Sequence, residues 1–366
     1  MKYRRNLFTI MLLVMLTFIA CNNVADNEEK MGTENTQTET LKEKKTSGKK
    51  KQRDKDESKV EESRSLALPH IIIEEIRNTG NEYHWFSQTA HLYLKEEEEF
   101  KQLNNAFEKY NNQVDKELEG VQQDLNQMAE DMKGLSSEYL DTAILTDETY
   151  VDIIRADNSI VSVLKFNVVY YGGAHPDSMY SSHNFDTKTG YELKFSDVVK
   201  NTSDFLELLD AELNKNYPDR ELLMPSQFIN EYKKEDLSDL AWTVNGEGVS
   251  VYFGAYDLGS YADGSQVLTV YFDEGKDLFN EAYVNSEVDY VLPLQKWDMI
   301  INPDVDGDGK REPVHVEDTY DESYSNYMGL GVFAGDSSII CPGDNGEAYI
   351  VRKDGKYYMY VFLENE

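Results

Sequence analysis

Disulfide chemistry is closed to most of this chain. It holds two cysteines, Cys21 and Cys341, and Cys21 stands at the end of an N-terminal apolar run. Stability must come from a core or from a metal. Catalytic motifs are missing as well. There is no Gly-x-Ser-x-Gly elbow, no Ser-His-Asp order and no glycine-rich phosphate loop. The six histidines include no pair with a third candidate at metal-ligand spacing. Carboxylates are too numerous for any two to stand out as an acid/base couple. Positive charge is scarce: 36 Lys and Arg face 69 Asp and Glu.

That imbalance lies in one part of the chain. Residues 1–20 carry 3 basic and no acidic side chains, and 22–64 carry 11 of each, so 22 basic and 58 acidic residues remain from Ser65 onward, a net −36. Such a field repels nucleic acid and anionic polymers and steers cationic partners inward. Solubility at a crowded surface is the plainer reading of the same charge.

A membrane-spanning run is also lacking at the N-terminus. Lys2, Arg4 and Arg5 precede an apolar stretch of 13 residues from Leu7 to Ile19. This suits a signal-peptide core and falls short of the ~20 residues a spanning helix needs. It ends in "LTFIAC", with Ala20 before Cys21, and resembles a bacterial lipobox. The resemblance implies that Cys21 is lipidated and becomes the first mature residue. The protein would then be exported and held to the bilayer by acyl chains on its extracytoplasmic side. Residues 21–66 read as a disordered tether, poor in apolar residues and balanced in charge. As a coil it would span roughly 35–40 Å.

The rest reads as α+β: antiparallel sheet with a long helix and shorter helices, plus a small C-terminal β extension. Strands are expected over 68–77 and 83–95. Apolar residues at three- and four-residue spacing predict a helix from Glu96 to Lys133. Two strands joined at Asp157-Asn158 fill 149–171, and a helix begins at Ser203-Asp204. A hairpin with an Asp354-Gly355 type I′ turn closes the chain. The expected division is 67–180, 181–285 and 286–366.

Three stretches carry a family likeness. "VVYYGGAHPDSMYSSHNFDTKTGYELKFSDVV" (168–199), "VSVYFGAYDLGSYADGSQVLTVYFDE" (249–274) and the strands and helix over 70–166 resemble a pair of extracellular domains of unknown function. That pair occurs in the lysozyme-sensing anti-sigma factor RsiV and beside the catalytic domain of the peptidoglycan deacetylase PdaC. Six residues precede the apolar run here, too few to hold a sigma factor, and no deacetylase signature is found. The resemblance therefore implies a binding module at the cell envelope, for a cationic, lysozyme-like protein or for cell-wall glycan. An accessory or degenerate peptidoglycan-modifying enzyme is the alternative.

His175, in "YGGAHPD", either fixes its loop through the imidazole or contacts a ligand. Tyr256 and Asp257 belong to the second family-like stretch. Tyr320 and Tyr324 sit in a polar acidic stretch, where a tyrosine offers rigid area with a polar tip. The stretch "NPDVDGDGKREP" (302–313) reads as a calcium turn. Asp304, Asp306 and Asp308 take positions 1, 3 and 5, Gly309 allows the sharp bend, Lys310 offers its carbonyl and Glu312 falls at position 9. His315 occupies position 12, where an EF-hand needs glutamate, so this is a short calcium turn with a structural role.

Overall fold

The computed structural model describes residues 12–14, 68–80, 84–95, 97–133, 144–232, 237, 240–275, 277–284, 289–294, 299–320 and 327–364. Cys21, the tether and Tyr324 lie outside the described residues. By contacts, Met1–Leu16 and Ala67–Glu366 form one unit and Thr17–Leu66 a second; every described strand and helix belongs to the first.

A five-stranded sheet opens the fold. It contains β2 (Ile71–Thr79), β3 (Trp85–Leu94), β4 (Leu145–Ala156), β5 (Ile160–Tyr170) and β6 (Asp177–Asp186), side by side in chain order. All its pairings are antiparallel except β3 with β4. A parallel neighbour needs a crossover, and α1 (Lys101–Lys133) supplies it. Its apolar stripe (Leu103, Phe107, Tyr110, Val114, Leu125) is buried; burying each of the larger side chains contributes roughly 1.5–3 kcal/mol. The helix begins at Lys101, with residues 97–100 in turns. The turn between β6 and the next element packs on its first residues. Gly190 has φ +64, and a Cβ there would stand 2.1 Å from the Gln102 carbonyl oxygen, so only glycine fits.

The β4–β5 turn falls where Asp157 predicts it. Its Oδ1 accepts from the amides of Ser159 (2.7 Å) and Ile160 (3.0 Å). Strand β6 runs through the expected boundary at residue 180 and is tied to the next sheet by buried polar groups. Asn184 Nδ2 donates to the Trp242 carbonyl (2.8 Å), and the Val244 amide donates to Ser162 Oγ (3.1 Å).

That second sheet has three antiparallel strands, β7 (Ala241–Val244), β8 (Gly248–Phe253) and β9 (Gln266–Tyr271). Helices α2 (Phe195–Val198), α3 (Thr202–Asn216) and α4 (Pro225–Tyr232) precede it. Asn201 caps α3, accepting from the amides of Ser203 and Asp204. The core between them is aromatic, with edge-to-face pairs Phe195–Trp242, Phe205–Phe279 and Phe228–Phe253.

The C-terminal part holds β10 (Tyr290–Leu294), β11 (Val314–Tyr320), β12 (Tyr327–Ala334), β13 (Ser337–Cys341), β14 (Asp344–Lys353) and β15 (Lys356–Glu364). Strands β11, β12 and β13 form one sheet. The other runs β1-β15-β14-β10, where β1 (Leu12–Val14) pairs with the outer edge of β15. Asp354 (φ 50) and Gly355 (φ 71) form the tight β14–β15 turn. Cys341 is buried and free, and burial pushes its thiol pKa up. The class is α+β with mainly antiparallel sheet. Among the described residues no helix is long and apolar enough to cross a membrane.

Candidate functional site: an aromatic, acidic groove

The five-stranded sheet has two faces, because side chains alternate along each strand. One carries α1. The other carries a ladder of rings set by register. Tyr150 on β4 stands opposite Phe166 on β5, and Phe166 opposite Tyr180 on β6. Phe166 and Tyr180 have centroids 4.8 Å apart; Tyr180 lies 5.4 Å from Tyr252 of β8, which is buried.

This ladder forms one wall of a groove of about 590 Å³. Tyr261, from the β8–β9 connection, and Tyr349, from β14, add two rings. The carboxylates of Asp152, Asp177 and Glu347 line it too. Among the described residues no Lys, Arg or His lines the groove. Glu347 Oε2 accepts from the Tyr349 hydroxyl (3.0 Å) and Glu148 Oε2 from the Tyr150 hydroxyl (2.9 Å). Burial first, then the hydrogen bond to Glu148, pushes the Tyr150 pKa up to about 12. Both hydroxyls stay protonated at neutral pH. The groove is thus apolar-walled and of one charge sign, the combination that suits a desolvated cation.

Beside the groove, behind Tyr261 and outside the lining, three residues singled out from the sequence come together. The His175 ring stacks on Tyr261, centroids 3.9 Å apart, and its Nε2 lies 3.4 Å from the Tyr256 hydroxyl. Its Nδ1 lies 3.0 Å from the Pro176 carbonyl, and the ring joins an exposed platform. Tyr256 is 58% exposed with φ 73, an uncommon conformation for a residue with a Cβ. Asp257 sustains it by accepting from the Gly254 amide (2.9 Å). The rings of Tyr150, Phe166, Tyr180, Tyr261 and Tyr349 were not legible as a group, since only strand register assembles them. Tyr320 ends β11 and is 58% exposed, away from the groove lining.

The Asp-rich loop lies between Ile301 and Val314, which pair as an isolated bridge. Carboxylate oxygens of Asp304, Asp306 and Glu312 come within 4.8 Å of one another. Gly307 (φ 79) and Gly309 (φ 85) make the bend, and their amides donate to the Asp304 carboxylate at 2.8 and 3.0 Å. The carboxylates of Asp304, Asp306 and Glu312 are those of the loop that could hold a metal ion. Asp308 is placed differently: it accepts from the Lys310 amide (2.8 Å) and ammonium (3.3 Å), which hold its carboxyl below the usual range. The base of the loop is anchored by Arg311, which donates to the Asn302 carbonyl (2.8 Å), pairs with Asp273 and lies 3.9 Å over the Tyr271 ring.

No family profile matches the chain, and no curated protein matches it. Solved structures do. A DUF3298 family member from Bacteroides fragilis aligns at TM-score 0.42 and 14% identity, over 58% of this chain and 94% of its own. A DUF3298 family protein from Pseudomonas aeruginosa aligns at TM-score 0.41 and 13% identity, over 59% and 96%. These structural neighbours are DUF3298 family proteins, aligned over nearly all of their own length to part of this chain.

Proposed function

We propose that this protein is a lipid-anchored binding module of the bacterial envelope whose acidic, aromatic groove receives a cationic, lysozyme-like protein. The observation that carries this reading is the groove lining: five rings and three carboxylates with no basic side chain among them. The net −36 from Ser65 onward would steer such a partner, and the ring faces would hold its Lys or Arg side chains. The likeness to the RsiV-like extracellular pair supports the same reading. Cell-wall glycan is the second candidate, favoured by the exposed platform of His175, Tyr256 and Tyr261. In this proposal Cys21 carries the anchor, so the mature chain lacks residues 1–20 and with them β1, and Asp304, Asp306 and Glu312 hold a structural calcium ion. Retention of lysozyme on the immobilised chain, at low and at physiological salt, tests the proposal. No retention at either would overturn it.

A further inference from the structure

Under α1, the sheet face is apolar at both ends and polar in the middle. At one end Leu92, Val161, Val163 and Phe185 pack with Leu103 and Phe107. At the other, Trp85 and Leu145 pack with Leu125. Between them stand Ser87 on β3, Asp147 and Thr149 on β4, Lys165 and Asn167 on β5, and Ser181 on β6. Register makes these neighbours: Ser87 faces Asp147, Thr149 faces Asn167, and Lys165 faces Ser181. Covering polar side chains with a helix is costly, about 1–3 kcal/mol for each group left unpaired. A band of them across four strands therefore calls for a reason.

The band forms one wall of a cavity of about 270 Å³. The opposite wall is α1, through Val114, Leu118 and Val121. Ser87 is 1% exposed, and its hydroxyl has no hydrogen-bond partner. Asp147 is 8% exposed. Its carboxylate accepts from two neutral donors, Asn167 Nδ2 (2.8 Å) and the Tyr171 hydroxyl (2.9 Å). Lys165 reaches Glu117 at 3.5 Å.

We infer that this cavity binds a small polyhydroxylated ring, a monosaccharide or a cyclic polyol. Such a ring carries hydroxyls around its edge and C–H groups on its faces. The sheet wall offers hydroxyls, an amide and a carboxylate to the edge, and the Val114, Leu118 and Val121 row of α1 meets a C–H face. Asp147 and Glu117 disfavour an anion, Lys165 disfavours a cation, and the unpaired Ser87 hydroxyl disfavours a wholly apolar guest. A ligand hydroxyl serves as donor and acceptor at once. The cavity lies on the face of the sheet opposite the aromatic groove, so it stands or falls apart from the proposed partner.

Saturation-transfer NMR on the full chain tests this, with glucose, N-acetylglucosamine and myo-inositol as probes and glutamate and betaine as charged controls. The expected result is saturable transfer to at least one of the three hydroxylated probes. Leu118→Trp, at a half-buried position on the cavity wall, should abolish it, and Ser87→Ala should weaken it about three- to tenfold. Melting curves report whether each variant folds; if Leu118→Trp melts early, Ser87→Ala decides. Absence of transfer to all three probes, transfer to a charged control alone, or transfer unchanged in the folded variants overturns the inference.

Discussion

Phe166 and Tyr180 face each other across β5 and β6, with ring centroids 4.8 Å apart and planes tilted by 32°. Phe166 is half-buried, held between Tyr150 and Tyr180 by register. Its ring is therefore wall rather than core. Phe166→Ala should weaken binding of the cationic partner about 10–30-fold, the scale of an interface anchor worth about 1.4–2 kcal/mol. The fold should remain, with Tm lowered by only a few degrees. Biolayer interferometry with lysozyme, beside a melting curve, measures both. A folded variant that binds as wild type would take the ladder out of the binding surface.

The proposed calcium ion would act on the loop between Ile301 and Val314. The clustered oxygens of Asp304, Asp306 and Glu312 should take up the ion and resist unfolding through Arg311 and its contacts with Asn302 and Tyr271. At tenfold excess over its dissociation constant the ion should raise Tm by about 2–3 °C. A chelator should reverse the rise, and Glu312→Gln should lose most of it. Calorimetry that finds the same Tm with calcium and with chelator would leave a plain turn.

Glu212 gives the pH dependence. It is 5% exposed on α3, and burial raises its pKa above 4.5, opposed by Lys215. A raised folded-state pKa means that the folded chain holds its proton where the unfolded chain has lost it. Its contribution is whole below the unfolded pKa and is lost as pH climbs through the folded value. Glu212→Gln stays neutral throughout. Its Tm relative to wild type should therefore rise as pH increases from about 4.5 toward neutrality and then level off. A difference that shrinks over that window would reverse the sign assigned to Glu212.

Much of the fold was legible where the signal is local. Asp157 marks the β4–β5 turn, Asp354-Gly355 marks the last hairpin, and the spacing of Leu103, Phe107, Tyr110 and Val114 marks α1. The parallel pairing of β3 with β4 was not, because it depends on where α1 returns the chain. The groove was hidden for the same reason. Tyr150, Phe166 and Tyr180 become neighbours only once register is known, and His175 meets Tyr256 across 81 residues. Residues 149–171 are apolar on both strand faces, so alternation alone did not say which face meets α1. In the Asp-rich loop, spacing named Asp304, Asp306 and Glu312 but could not foresee that Lys310 engages Asp308.

Anchoring has its own measurement. Cys21→Ala should abolish metabolic labelling with a fatty-acid analogue and move the protein from the membrane fraction to the medium or the soluble extract. Membrane retention without labelling would mean that another segment holds it.

The central claim is that charge and rings in the groove bind a cationic protein. The most direct measurement is lysozyme affinity of wild type against Asp152→Asn/Asp177→Asn/Glu347→Gln, at about 50 and 150 mM salt, where the Debye length falls from roughly 14 to 8 Å. Wild type should bind and weaken with salt, and the neutralised variant should keep its fold while losing at least tenfold in affinity at the lower salt. Equal affinity of the two proteins, or binding by neither, would contradict the claim.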